Sequence, residues 1–517
     1  MVHVSNLSRR AFLRNAALSL PALAALPQLA SAQMAEPAPP PSAPGISELP
    51  PPARAASPRK VIVIGAGLAG LTAAYELAQW GNEVTVLEAH MRPGGRVFTV
   101  REPFQDGLYG EFGAIDYTDS ARNMKHYVKL FNLATGAPQP DGKLATAFHV
   151  RGKRLVIGAG QPKPEWPYKL TPEEQKVFGY GLYLRYLGPT ADEMGNPTDP
   201  SWDIQKYKQY DKMTLVDFMK SKGASDDAIE YLSYAMSVGY GWNTVSALHR
   251  LASDWALFNS GKGKQHFILG GSDLLPRAFA KALAERIWYG APVTRIVQEG
   301  KKVRAVFNPP GGEQSLEADY VICTAPCPAL RRVDFAPGLS ARKRQIIEQL
   351  EYTPVTRIYM QSRRRFWVDE GRTGFGNTDL PLKLVSEHPF VRTAELTPRG
   401  LLETHIRGND ALPVSEKTEE QQIAWAAEQM EAFHPGYRKH LEGGAAYSWH
   451  KDPYFGGGYA WWKPGQLTEW MPELAKPEGR VHFAGEHTSA LGRTMEGAVI
   501  SGNRAAREIQ EAALREG

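Results

Sequence analysis

The chain has 517 residues, 43% of them hydrophobic and 22% charged, with 60 Lys and Arg against 55 Asp and Glu. That balance is ordinary for a globular enzyme and excludes a disordered, fibrous or membrane-embedded chain. A formal charge of +5 over this length gives no case for nucleic-acid binding, and two cysteines without further ligands at metal spacing give none for a metal site.

In chain order, Ser8-Arg9-Arg10-Ala11-Phe12-Leu13-Arg14 comes first, then an alanine-rich stretch broken by Pro21 and Pro27, then Ala30-Ser31-Ala32. The pattern resembles a twin-arginine export signal over residues 1–32, with an A-x-A cleavage site. Its apolar part is about 15 residues, short for a span of about 20, the alternative being an uncleaved anchor. The signal implies the twin-arginine export machinery as a partner and the periplasm as the destination. That route carries folded proteins, which suits a cofactor inserted before export. Cleavage removes Arg9, Arg10 and Arg14 and no acid, so the mature charge is +2 (5 − 3). Residues 33–57 are rich in proline and read as an extended linker, so the fold is expected to begin near Pro58.

Val61 to Ile64 form an apolar run of the kind a doubly covered parallel strand needs. Gly65, Gly67 and Gly70 follow in G-x-G-x-x-G spacing around Leu68 and Ala69, opening a helix that stops at Gly81. A second strand, Val84 to Leu87, ends at Glu88. Glycines permit a tight turn and close backbone approach to a pyrophosphate, which sits at the positive helix end. The acid about 20 residues on bonds ribose hydroxyls and disfavours a 2′-phosphate. Arg92-Pro93-Gly94-Gly95-Arg96 comes directly after.

That segment resembles the extended fingerprint of the flavin amine oxidase superfamily, which includes monoamine, polyamine and L-amino acid oxidases. A second signature supports it: Gly479-Arg480-Val481-His482-Phe483-Ala484-Gly485-Glu486, then Met495-Glu496-Gly497. Arg365-Phe366-Trp367 and Thr378-Asp379-Leu380-Pro381 look like the L-amino acid oxidase branch. The resemblance implies a Rossmann-like FAD-binding domain of the two-glycine-motif type, interleaved with a mixed-sheet substrate domain and a helical insert, an α/β plus α fold. The FAD domain is expected over 58–120, 265–330 and 455–512. The substrate domain is expected over 121–165 and 331–454, and the insert over 166–262. FAD would be held by Gly65, Gly67, Leu68, Ala69, Gly70, Glu88, Gly94, Gly95, Arg96, Val293, Gly485, Glu486 and Met495. Gly458 stands where covalent members carry a cysteine, so attachment is expected to be non-covalent. Cys323 and Cys327 are expected as separate buried or half-buried thiols rather than a disulfide. The resemblance also allows a homodimer.

The implied reaction is oxidative deamination: hydride from the α C–H to flavin N5, imine hydrolysis, and reoxidation by O2 to hydrogen peroxide. Departures from the family bear on the substrate. Asp116 stands where the L-amino acid oxidases place an arginine for the substrate carboxylate. Their tyrosine is missing near Glu387, although an arginine from elsewhere could take the role. An acid there repels a carboxylate and favours a cation, so an amine is expected, with L-amino acid oxidase or tryptophan 2-monooxygenase as the alternative. A non-catalytic flavin-binding protein is the third reading. Tyr459 matches one ring of the monoamine oxidase aromatic cage and Thr494 replaces the other. Trp461 and Trp462 are placed at the cavity wall. Arg332, on an expected strand from Ala329 to Phe335, sits nearest the family's lysine beside N5. That substitution leaves a dehydrogenase open as well as an oxidase.

Overall fold

Alternate residues of the first apolar run serve opposite faces of one sheet. Val61 and Val63 pack with Leu71, Ala74 and Leu77, while Ile62 and Ile64 join the cluster containing Val321 and Phe483. Burying each such side chain contributes about 1.5–3 kcal/mol. The computed structural model describes residues 46–53, 57–137, 143–158, 164–177, 179–199, 201–235, 241–255, 265–387 and 397–516. Lys60–Ile64 (β1), Leu68–Gln79 (α1) and Glu83–Leu87 (β2) form the expected strand, helix and strand. Ile287–Trp288 (β3), Tyr320–Cys323 (β4) and Val481–Phe483 (β5) complete a parallel sheet in the order β3-β2-β1-β4-β5. Later strands lie on both sides of β1, so a crevice opens at its carboxyl end. The C-terminal helix Met495–Arg515 (α2) lies along α1, and a Cβ on Gly502 would stand 2.2 Å from the Ala69 carbonyl oxygen.

A seven-stranded mixed sheet forms the second layer. Its order is Leu441–Ser448, Val355–Ser362, Gly400–Arg407, Leu384–Glu387, Arg372–Thr378, Ala145–Val150 and Lys153–Ile157. Ile358, Met360, Leu402 and Ile406 turn to one face and pack with Trp367, Met430 and Phe433. The opposite face looks toward the crevice. The elements described between Thr171 and Asp254 are mostly helices, and Leu215–Ser221 and Asp226–Ala235 fall where the apolar spacing predicts helices.

The expected signal peptide, residues 1–32, lies outside the described residues, as do residues 33–45 and 54–56 of the expected linker. Several other expectations need correction. The end of the linker is docked rather than free: Arg507 Nη2 donates to the carbonyls of Ile46, Leu49 and Pro50, and Ser47 bonds Asn123. The first unit also extends past residue 120. Asp116–Thr118 and Thr135–Gly136 both pair with Gln265–Ile268. It extends past residue 330 too, because Asp334–Ala336 pairs with Val293–Glu299. The segment Ala329 to Phe335 is not a continuous strand: Cys327–Leu330 is a helical turn with Pro328 in its first turn. Cys323 and Cys327 are buried free thiols, as expected, and burial pushes both up to about 12.

Candidate active site

The crevice deepens into a cavity of about 1260 Å³. Single-ligand pockets run roughly 300–1,000 Å³, so this one has room for a dinucleotide and a second molecule.

One end is built from the glycine turn. Gly65 has φ +100°, and a Cβ there would meet the Thr324 hydroxyl at 2.6 Å. A Cβ on Gly70 would meet the Gly65 carbonyl oxygen at 2.0 Å, so side chains are excluded where strand and helix touch. Gly67 has no atom within 4 Å on that side and leads into α1 with no side-chain cap. The N–H groups of the first turn of α1 therefore point at open space, as a pyrophosphate site requires. Gly94 N–H donates to the Ala66 carbonyl at 2.7 Å, folding the second glycine turn over the first. Glu88 accepts from Ala66 N–H at 2.6 Å and His90 N–H at 2.7 Å, and burial holds its carboxyl above the ordinary range. Arg96 pairs with Glu486 at 2.9 Å and also bonds the Gly458 carbonyl. Val293, Gly485 and Met495 line the same cavity. Together this is a cradle that backbone closes and a Cβ would fill, with a buried acid at ribose distance along the chain. It fits FAD.

The other end is charged, and most of it was missed from sequence. Strands Val355–Ser362 and Gly400–Arg407 run antiparallel with Arg357 opposite His405 and Val355 opposite Arg407. Side chains two apart share a face, so Arg357, Glu403, His405 and Arg407 all reach the cavity. The signal was available: L-L-E-T-H-I-R alternates charge with apolar residues in a buried strand. Arg357 is buried, bonds the Glu111 carbonyl and His405 Nδ1, and stands 3.6 Å from Glu403. His405 Nδ1 accepts from both Arg357 and Arg407. That leaves the neutral ring's proton on Nε2. Burial and the flanking arginines hold His405 well below the ordinary range. Arg407 is pushed down by burial, with Arg493, Arg357 and Arg250 all acting against its charge.

Arg493, also unforeseen, enters from the loop before α2. Its guanidinium carbon lies 5.0 Å from the Tyr459 ring centroid, and Nη1 stands 3.2 Å from Asp254. Its backbone takes φ +74°, held by a 2.8 Å bond from its N–H to Glu486. Asp254 in turn binds Arg250 and Tyr183.

Of the residues proposed from sequence, Asp116, Glu387, Tyr459, Thr494 and Arg332 all line the cavity. The Tyr459 hydroxyl is buried with no hydrogen-bond partner among the described residues. Thr494 is bound into the helix end, its hydroxyl accepting from Gly497 N–H at 2.9 Å and donating to the Leu491 carbonyl. Glu387 is not a free acid. Arg365 turns inward from the arginine run and meets it at 2.5 Å, and the Trp367 indole adds a bond. Arg332 is exposed and stands over Tyr454, which contacts His90 beside Glu88. It therefore belongs to the ribose end rather than to the charged end. Trp461 and Trp462 do not line the cavity. They are 1% and 0% exposed and fill the core, Trp461 against Val245 and Tyr459, and Trp462 against the insert. Bulky rings in the irregular segment after Gly456–Gly458 were drawn away from the cavity by apolar partners from the helical insert.

A glycine cradle with a ribose acid, continuous with a charged region of the same cavity, is what a flavin-dependent oxidoreductase requires. The comparison with known sequences agrees: residues 68–510 match the model of the flavin containing amine oxidoreductases, and the chain belongs to that family. It is 31% identical to YobN of Bacillus subtilis (strain 168) over 87% of this chain and 95% of that one. It is 29% identical to the L-amino-acid oxidase of Demansia vestigiata, over 89% of this chain and 88% of that one. Its fold is shared with putrescine oxidase, with a TM-score of 0.73 at 20% identity over 87% of this chain and 98% of the other. Cyclohexylamine oxidase from Brevibacterium oxydans IH-35A gives 0.72 at 22%, over 88% and 99%. The protein is an FAD-dependent enzyme that oxidises a CH–NH2 group by oxidative deamination.

Proposed function

We propose that the substrate is a free α-amino acid and that the enzyme is an oxidase of L-amino acids. The observation that carries this is the group of guanidinium ions from Arg357, Arg407 and Arg493 lining the cavity. Burying like charges together is costly, and an entering carboxylate offsets that cost. The sequence put an acid where the carboxylate was expected; the arginines arrive from two other strands and a loop. The L-amino-acid oxidases among the relatives support the same reading.

When bound, FAD supplies the two-electron hydride acceptor. The protein's own residues orient and enclose. The arginines fix the carboxylate, and His405 offers an Nε2–H beside them. The Tyr459 ring, carrying Arg493 on its face, forms an apolar wall for the α-carbon. No strong protein base is required when the substrate nitrogen is neutral, because its lone pair drives departure of the α hydrogen as hydride.

O2 as the second substrate and delivery to the periplasm through the twin-arginine route complete the proposal. Amino-terminal sequencing of the periplasmic enzyme checks the latter and should begin at Gln33. The substrate class is tested by anaerobic bleaching of the bound flavin and by peroxide release. L-amino acids should bleach it and their decarboxylated amines should not. R357M should raise KM for amino acids roughly ten- to a hundredfold, the loss of one charged hydrogen bond at about 1.5–3 kcal/mol. Faster bleaching by the amine than by its parent amino acid would overturn the reading.

A further inference from the structure

Among the described residues seven acids line the cavity: Glu88, Asp116, Asp254, Glu387, Glu403, Glu486 and Glu496. Six are already engaged. Glu88 and Glu496 accept from backbone N–H groups. Asp254 pairs with Arg250 and Arg493, Glu387 with Arg365, Glu403 with Arg357, and Glu486 with Arg96. Asp116 differs. Among the described residues it has no ion pair, and its side-chain partner is the neutral amide of Gln265.

The fold holds Asp116 firmly. It begins the strand Asp116–Thr118, which pairs antiparallel with Gln265–Ile268, with Asp116 opposite Phe267. Gln265, Phe267, Tyr117 and Trp255 line the cavity around it. The carboxyl is thus fixed on a sheet, with Phe267 directly opposite, and bonded to the Gln265 amide. Burial raises it above the ordinary range, and Arg357 from across the cavity acts the other way. An incoming cation would satisfy the charge.

We propose that Asp116 selects a substrate whose side chain ends in a cationic nitrogen, making the enzyme specific for basic α-amino acids. The inference rests on the amino-acid reading above: the arginines take one end of the substrate and Asp116 the other. Opposite charges on separate elements of one cavity also set the orientation of a long, flexible substrate, presenting its α-carbon and not its terminal methylene.

Four ligands separate the two readings: L-lysine, L-norleucine (no terminal amine), cadaverine (no carboxylate) and pentylamine (neither), with L-ornithine and L-arginine as length variants. The measurement is kcat/KM for peroxide release by the FAD-loaded enzyme, with anaerobic bleaching in parallel. The best basic amino acid should exceed norleucine at least tenfold, and D116N should shrink that ratio at least tenfold while the variant retains its flavin spectrum. Asn keeps the size and the bond to Gln265, so a merely structural role would lower both rates together and leave the ratio unchanged. Norleucine at parity with the basic amino acids, a ratio unmoved by D116N, or bleaching by none of these compounds overturns the assignment. Cadaverine at parity with lysine instead overturns the amino-acid reading, and the cadaverine-to-pentylamine ratio in D116N then decides Asp116 alone.

Discussion

Asp116 and Glu387 carry the same charge into the same cavity, yet their neighbours give them different work. Glu387 is neutralised by Arg365 and packs against Trp367; among the described residues the side-chain partner of Asp116 is an amide. Glu111, close by in the chain, shows how burial changes a carboxyl. Its oxygens accept from Ser272 N–H and the Thr99 hydroxyl, and burial raises it to about 7. The folded state therefore binds a proton more tightly than the unfolded chain does. The stability this gives is present below the ordinary carboxyl range and is lost as the pH rises toward 7. E111Q keeps the shape without the charge. Its melting temperature relative to the natural enzyme should rise between pH 5 and pH 8, by up to about 3 kcal/mol in stability. A gap independent of pH would show that Glu111 does not titrate in this window.

Two elements decide whether the dinucleotide end exists at all. α1 and α2 touch where Gly502 faces the backbone of Ala69, in the turn that opens toward the cavity. G502A would drive a methyl group into that backbone, pushing the helices apart at the point where α1 must present its N–H groups. Overpacking of this kind costs typically 1–3 kcal/mol or more. Calorimetry should show a lower melting temperature, and filtered protein should carry less flavin per chain; full flavin content at an unchanged melting temperature would refute the contact. The elements also show what sequence made readable. The β1–α1–β2 unit was legible because its strands, helix and turn are local and each has its own residue signature. The paired strands bearing Arg357 and His405 were not, because register between segments about 45 residues apart is set by tertiary packing and not by neighbours in the chain.

At the scale of the molecule, the segment Ile46 to Ala53 is fastened to the C-terminal helix. The guanidinium of Arg507 in α2 gathers three carbonyls of the segment before β1, and Gln510 takes a fourth, that of Ala53. A form beginning at Ile46 should therefore melt higher than one beginning at Pro58, by the worth of several hydrogen bonds at about 1 kcal/mol each. Equal melting temperatures would return the segment to the status of a linker. The interleaved layout follows from the same economy: the FAD unit is closed by its own C-terminal strand and helix, so the second sheet and the insert can only be inserted between its parts.

From the residues alone came the FAD-binding fold, the family and the amine-oxidising chemistry, because each depends on short motifs whose backbone geometry only certain residues permit. The inward turn of Arg365, the diversion of Trp461 and Trp462 into the core, and the meeting of Arg357, Arg407 and Arg493 depended on the tertiary structure. Charge in a cavity is a sum over distant segments, and no local pattern records which of them will face one another.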